Sequence, residues 1–287
     1  MYPMIISGVV VTCIVLVIYK LLSRHLQQKQ KIKQGILLTS HLKLIIDRCQ
    51  KHRGTTNAYM QGNAKLLPQL TDLQADIDSL INNDVSSSLA EFPQWSSFAE
   101  HWPKLKKHAL DNDLPAQNIV RQHSLMIDGQ LMLLDDVMRA YDIHRLMLDS
   151  YTHVSEICLD TLRAAETLGY TRTIGSGVCA RGLCLAADKV LLEFLRISVR
   201  TSSERLLSEI NRIKNKDLTS LLATSSVAIQ QQVDALLNMV DKRVLQHGQL
   251  KLDSHEYFTL STRAIDEVLK IFSIVIQYAS RQQTRII

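Results

Sequence analysis

The sequence predicts an all-α protein, with an N-terminal transmembrane helix followed by two stacked up-down four-helix bundles. Three observations carry this. Only 10 Gly and 5 Pro occur in 287 residues, which leaves few points at which a helix must break. Apolar residues return at three- and four-residue spacings through most of the chain. After the first segment no alternating run of β-branched and aromatic residues is bounded by tight-turn pairs, so no sheet is expected.

Residues 4–22 carry no charge before Lys20. About twenty apolar residues match the thickness of a bilayer core, so this segment is expected to span as an anchor over residues 1–24. It lacks the basic start and small-residue cleavage site of a secretory leader. Nothing basic precedes it, and Lys20, Arg24, Lys29, Lys31 and Lys33 follow closely. That asymmetry places the body on the cytoplasmic side of the inner membrane as a single-pass protein.

Leu38, Leu42, Ile45 and Cys49 continue the first helix to about Gly62. A second helix is expected over 65–81, ended by Asn82-Asn83-Asp84, and Ser86 to Ser88 offer caps for the next element. Pro93, Pro103 and Pro115 punctuate a shorter third helix, and a fourth follows with Ile127, Leu131, Leu134, Met138 and Tyr141 on one face. Beyond a hinge near Asp149, helices are expected over 154–181, 183–213, 217–247 and 254–281, with breaks at Asn215-Lys216 and from Gly248 to Asp253. The body, 25–287, thus divides into bundles of about 35–148 and 150–287.

The net charge of +5 is uneven. From Lys20 to Arg53, Asp47 is the single acid among nine Lys and Arg, so the rest of the chain is net negative. A basic stripe of this kind beside a span suits anionic lipid, and nucleic acid is not an expected partner. Five scattered cysteines form neither a disulfide framework nor a paired metal motif. The histidines lack ligand spacing, and no acid, base and nucleophile converge, so neither metal, cofactor nor catalysis is expected. Gly175-Ser176-Gly177-Val178-Cys179-Ala180 fits a dinucleotide fingerprint on paper, yet helix rather than strand precedes it.

Two stretches stand out. Gln50-Lys51-His52-Arg53-Gly54-Thr55-Thr56 puts an Arg-Gly step inside a helix, where Gly costs about 1 kcal/mol against Ala. Its plain reading is a solvated charge at a helix end. From Ala164 to Gly177 a face of Gly, Ala, Ser and Thr carries one guanidinium, Arg172. Its plain reading is close helix packing, with Arg172 paired to Glu166 or another acid.

Together the two stretches resemble the signature of nitrate- and nitrite-sensing (NIT) domains. Those domains carry a first-helix motif similar to L-Q-x-E-R-G and a later one similar to G-Q-x-R followed by small residues. Here they read Cys49-Gln50-Lys51-His52-Arg53-Gly54 and Gly169-Tyr170-Thr171-Arg172, with His52 in place of Glu and Tyr170 in place of Gln. The segment from Tyr257 to Asp266 is similar to the family's closing segment. The resemblance runs from about Gly35 to the C-terminus. It implies a pair of four-helix bundles with nitrate or nitrite held between helices by Arg53 and Arg172, and with Arg263 as a lesser third ligand. Thr56 and Thr171 are the expected supporting hydroxyls, with Thr55 and Thr173 close by.

A guanidinium is a planar fork that meets two oxygens of a flat oxyanion at once. The expected function is a membrane-tethered sensor of nitrate, nitrite or a similar anion, in which ligation changes helix packing. The chain carries no recognisable output module, so a separate signalling protein or a homodimer contact is expected to take the signal. The alternative is a ligand-free helical scaffold at the cytoplasmic membrane face, with its arginines paired internally.

Overall fold

The computed structural model describes residues 2–245 and 250–285, with side chains described for 14–245 and 250–283. Every regular element among the described residues is helical, apart from an isolated bridge between Met147 and His153. The α-helices are α1 (Tyr2–Met60), α2 (Leu67–Ile81), α3 (Asp84–Ser87), α4 (Pro93–Asp111), α5 (Ala116–Ala140), α6 (Val154–Arg181), α7 (Ala186–Arg212), α8 (Lys216–Met239) and α9 (Ser254–Arg285). A π-helical turn, Val240–Val244, continues α8. The expected extension of that helix to His247 and the break at Gly248 lie outside the described residues.

Among the described residues no helix is long and apolar enough to cross a membrane. This overturns the expected span over residues 4–22, and with it the single-pass inner-membrane location. The described apolar run in α1, residues 14–22, is interrupted by Lys20. The side chains before Ile14 lie outside the described residues. The basic stripe has acids of its own. Lys31 meets Asp142 at 2.9 Å, Arg48 meets Asp47 and Asp76 at 3.0 Å each, and Lys51 meets Asp47 at 3.0 Å.

Helix ends follow local chemistry. Asn83 and Asn215 accept from the amides of Val85 and Leu218, satisfying donors that open α3 and α8. Glu156 reaches back to the His153 amide at the start of α6, and Asp188 to the Leu185 amide at the start of α7. Gly182 ends α6 in the left-handed conformation, φ 71°, which a residue without Cβ adopts freely. Asp149 ties the two halves together. Its carboxylate accepts from the amides of Tyr151 and Thr152 and, at 2.6 Å, from that of Lys214 between α7 and α8.

α1 packs against α2, α5 and α6, while α4 packs on α5. In the second half α6 lies against α7 and most extensively against α9, and α8 joins α7 and α9. The α1–α6 contact joins the two groups of helices. One continuous set of buried apolar side chains runs through both, from Leu38 and Leu42 on α1 to Ile271 and Val275 on α9. The polar side chains described next sit in that contact.

Candidate functional site: a buried arginine seam between α1, α6 and α9

Arg53 and Arg172 are both fully buried, and they are among the largest side chains in the interior with no exposure. Burying a guanidinium is expensive unless its donors are met, so what surrounds each one decides its role.

Arg53 is met. Its Nη1 donates to Glu166 Oε1 at 2.6 Å and its Nη2 to Glu166 Oε2 at 3.1 Å, a two-pronged pair across α1 and α6. Nη1 also donates to Ser124 Oγ at 2.9 Å, and Nε to Thr173 Oγ1 at 3.2 Å. Gln50 Nε2 donates to Glu166 Oε2 at 2.8 Å, steadying the carboxylate from a second side. The Tyr170 ring lies 5.3 Å from the centre of the guanidinium. Tyr170 also lines a cavity of about 260 Å³, together with Asn57, Gln61, Gly177, Arg181 and Asp188.

Arg172 is different. Its Nη1 donates to Thr262 Oγ1 at 2.9 Å and its centre lies 4.8 Å from the Phe258 ring, but Nε and Nη2 have no acceptor. Among the described residues no carboxylate reaches it at ion-pair distance. Burial lowers its pKa to about 10, and the Asp47 carboxylate opposes that shift. The group is therefore still charged at neutral pH. One turn further along α6, on the same face, the buried Ser176 hydroxyl has no partner.

Small residues line the seam. A Cβ on Gly54 would stand 3.6 Å from Arg172 Nε and 3.7 Å from Thr173 Oγ1, and one on Gly169 would stand 3.4 Å from Arg53 Nη2. A Cβ on Gly175 would overlap the Tyr257 ring, whose hydroxyl donates to Thr171 O at 3.1 Å. Beside the two guanidinia a Cβ would make ordinary contacts; the approaches that require a glycine are at Gly175, against the Tyr257 ring, and at Gly177, where a Cβ would overlap the Asn57 amide.

The sequence-predicted residues separate on this geometry. Arg53 and Arg172 lie in one seam, with Thr173 Oγ1 accepting from Arg53 and bordering the space beside Arg172. Arg53 is clasped by Glu166 rather than open, and Glu166 pairs with Arg53 rather than with Arg172. Arg263 is exposed on α9, whereas Phe258 and Thr262 supply the contacts to Arg172. Thr56 and Thr55 are buried with hydroxyls lacking partners, while the Thr171 hydroxyl is spent on Thr167 O at 2.8 Å. Sequence reasoning missed Thr262 and Phe258. Their spacing of four, which puts both on one face of α9, is the signal that would have found them.

His52 belongs to a neighbouring chain of hydrogen bonds. The Gln74 amide donates to Lys106 O at 3.1 Å and lies 3.2 Å from His52 Nε2. His52 Nδ1 lies 2.7 Å from His123 Nε2, and His123 Nδ1 lies 2.8 Å from Ile119 O. An amide nitrogen and a carbonyl at the two ends fix the direction. His52 accepts from Gln74 and donates to His123, which donates to Ile119. Burial holds His52 well below the ordinary histidine range, and it brings His123 down to about 3. Both rings are uncharged at neutral pH.

No family model and no curated protein matches the chain. Among solved structures, that of the NasR transcription antiterminator is similar, with a TM-score of 0.68 and 15% identity over 94% of this chain and 75% of that one. What the two share is an all-helical fold.

Proposed function

We propose that the chain is a sensory domain that binds nitrate, nitrite or a similar small monoanion at Arg172, between α1, α6 and α9, and passes a change of helix packing to a separate signalling protein. The observation that carries this is a fully buried, charged guanidinium with two donor nitrogens that have no acceptor among the described residues. A planar oxyanion meets those donors as a pair, and it removes the penalty of an uncompensated buried charge. The resemblance of the Arg53 and Arg172 motifs to nitrate- and nitrite-sensing domains supports the ligand. The fold shared with a transcription antiterminator supports a regulatory role. Since the anion is coordinated from several helices, its binding favours one packing of them over the alternatives.

The closed Arg53–Glu166 pair favours a second reading, a scaffold whose arginines are neutralised internally. Melting of the full chain in sodium nitrate and in equal sodium chloride separates the two. A ligand at a hundred times its dissociation constant stabilises by about 2.7 kcal/mol. Nitrate should raise the midpoint beyond chloride, and Arg172→Met should erase the difference. Equal midpoints in the two salts for the unaltered chain would leave only the scaffold.

A further inference from the structure

We propose that Glu166 sets the charge of the ligand: by holding the Arg53 fork closed, it leaves the seam one uncompensated cation and so restricts it to monoanions. This rests on the reading of Arg172 as the anion site. The charges beside the seam fall into three groups, with the exposed Asp266 acting on Arg172 and the exposed Asp128 on Arg53 from longer range. Arg53 and Glu166 cancel each other through two N–H···O bonds. Asp47 accepts from Arg48 and Lys51 at 3.0 Å each. Arg172 keeps two buried donors without an acceptor, on Nε and Nη2.

The two guanidinia are neighbours. Thr173 Oγ1 accepts from Arg53 Nε at 3.2 Å and, with Arg172 Nε, bounds the space over Gly54. A carboxylate on the far side of Arg53 therefore decides whether an anion in the seam meets one positive fork or two. With Glu166 charged, a second negative charge on the ligand finds no open donor and is repelled by the carboxylate. In a buried setting that repulsion is poorly screened. Sulfate also gives up far more hydration than nitrate on entering, so one guanidinium does not compensate it.

Replacing Glu166 by Gln keeps the side-chain length and an acceptor for Gln50 while removing the charge. Arg53 then becomes a second open cation. The sequence placed Glu166 beside Arg172 as its plausible partner, and it is instead the residue that takes Arg53 out of competition.

The test is calorimetric titration of the full chain with sodium nitrate and sodium sulfate at low millimolar concentrations, where sulfate's general exclusion effect on stability is small. The unaltered chain should bind nitrate and give no saturable heat with sulfate. Glu166→Gln should bind sulfate and tighten nitrate by at least about tenfold. The paired variant Arg53→Met/Glu166→Gln restores the charge balance without the ion pair, and it should bind nitrate within about threefold of the unaltered chain while ignoring sulfate. This second variant keeps the test decisive if Glu166→Gln alone does not fold. Nitrate binding with no sulfate binding in Glu166→Gln overturns the role given to Glu166 and leaves the site standing. Loss of nitrate in the paired variant overturns it too, because Arg53 would then be a ligand that leaves Glu166. An unaltered chain silent to nitrate removes the site and the inference together.

Discussion

Arg53 and Glu166 are 113 residues apart in the chain and join α1 to α6 through two hydrogen bonds, of 2.6 and 3.1 Å. The arginine is fully buried, whereas the glutamate side chain keeps 16% of its surface exposed. The partners are unequal, and removing one is not the same as removing the other. Glu166→Ala strands a guanidinium with no route to water, which costs about 3–5 kcal/mol for a buried pair broken in this way. Arg53→Met leaves a carboxylate that retains Gln50 and some solvent. Urea midpoints should show the larger loss for Glu166→Ala.

Arg172→Met should behave in the opposite sense. A buried charge exchanged for an apolar side chain of similar volume is commonly neutral or stabilising by about 1–4 kcal/mol. Since the Arg172 pKa lies at about 10, below its ordinary value, its penalty is present in full at neutral pH and recedes only as pH rises past 10. In nitrate-free buffer Arg172→Met should melt at or above the unaltered chain. A drop of several degrees would mean that Arg172 serves the packing.

The buried pair His52 and His123 makes stability sensitive to acid. Both folded pKa values are depressed, that of His123 to about 3, so below the ordinary value of about 6.5 the unfolded chain binds protons that the folded chain refuses. Stability is full above that value and falls as pH drops from about 6.5 toward about 3, by up to about 1.4 kcal/mol per pH unit for each ring. His123→Gln removes one of the two groups. Its urea midpoint should decline less steeply between pH 7 and pH 4.

Gly175→Ala tests the close approach of α6 and α9. Its methyl group would overlap the Tyr257 ring, which is fully buried and bonded through its hydroxyl to Thr171 O. Overpacking of this kind costs about 1–3 kcal/mol. Because Tyr257 shares α9 with Phe258 and Thr262, the same substitution should weaken nitrate binding as well as lower the melting point. Full nitrate affinity in a destabilised Gly175→Ala chain would show that the α6–α9 spacing does not govern the site.

Much of the helix pattern was legible because each boundary has a local cause. Asn83, Asn215, Gly182 and the prolines near 93 and 115 act through their own backbone neighbourhood, and the stripes at three- and four-residue spacing give each face its direction. The two arginines were singled out by the resemblance of their motifs, whereas their burial was not legible: the plain reading of Arg53 was a solvated charge at a helix end, and both side chains are fully buried. Their partners were not legible either. Pairing of Arg53 with Glu166, and of Arg172 with Thr262 and Phe258, depends on how α1, α6 and α9 are rotated about their axes, which periodicity fixes only to a face. The first segment misled because length and apolarity were given more weight than Lys20 within it, and among the described residues no helix is long and apolar enough to cross a membrane.

α1 runs unbroken from Tyr2 to Met60, and Arg53 stands close to its C-terminal end. From that position to Ile14 the helix extends roughly 58 Å. The interior holds α1 along Leu38 to Cys49 and Asp142 holds it at Lys31, so the stretch before Lys31 is the largely exposed part of the rod. Under the proposed sensory reading, a tilt of about 3° set at Lys31 would move Ile14, roughly 25 Å away, by about 1 Å.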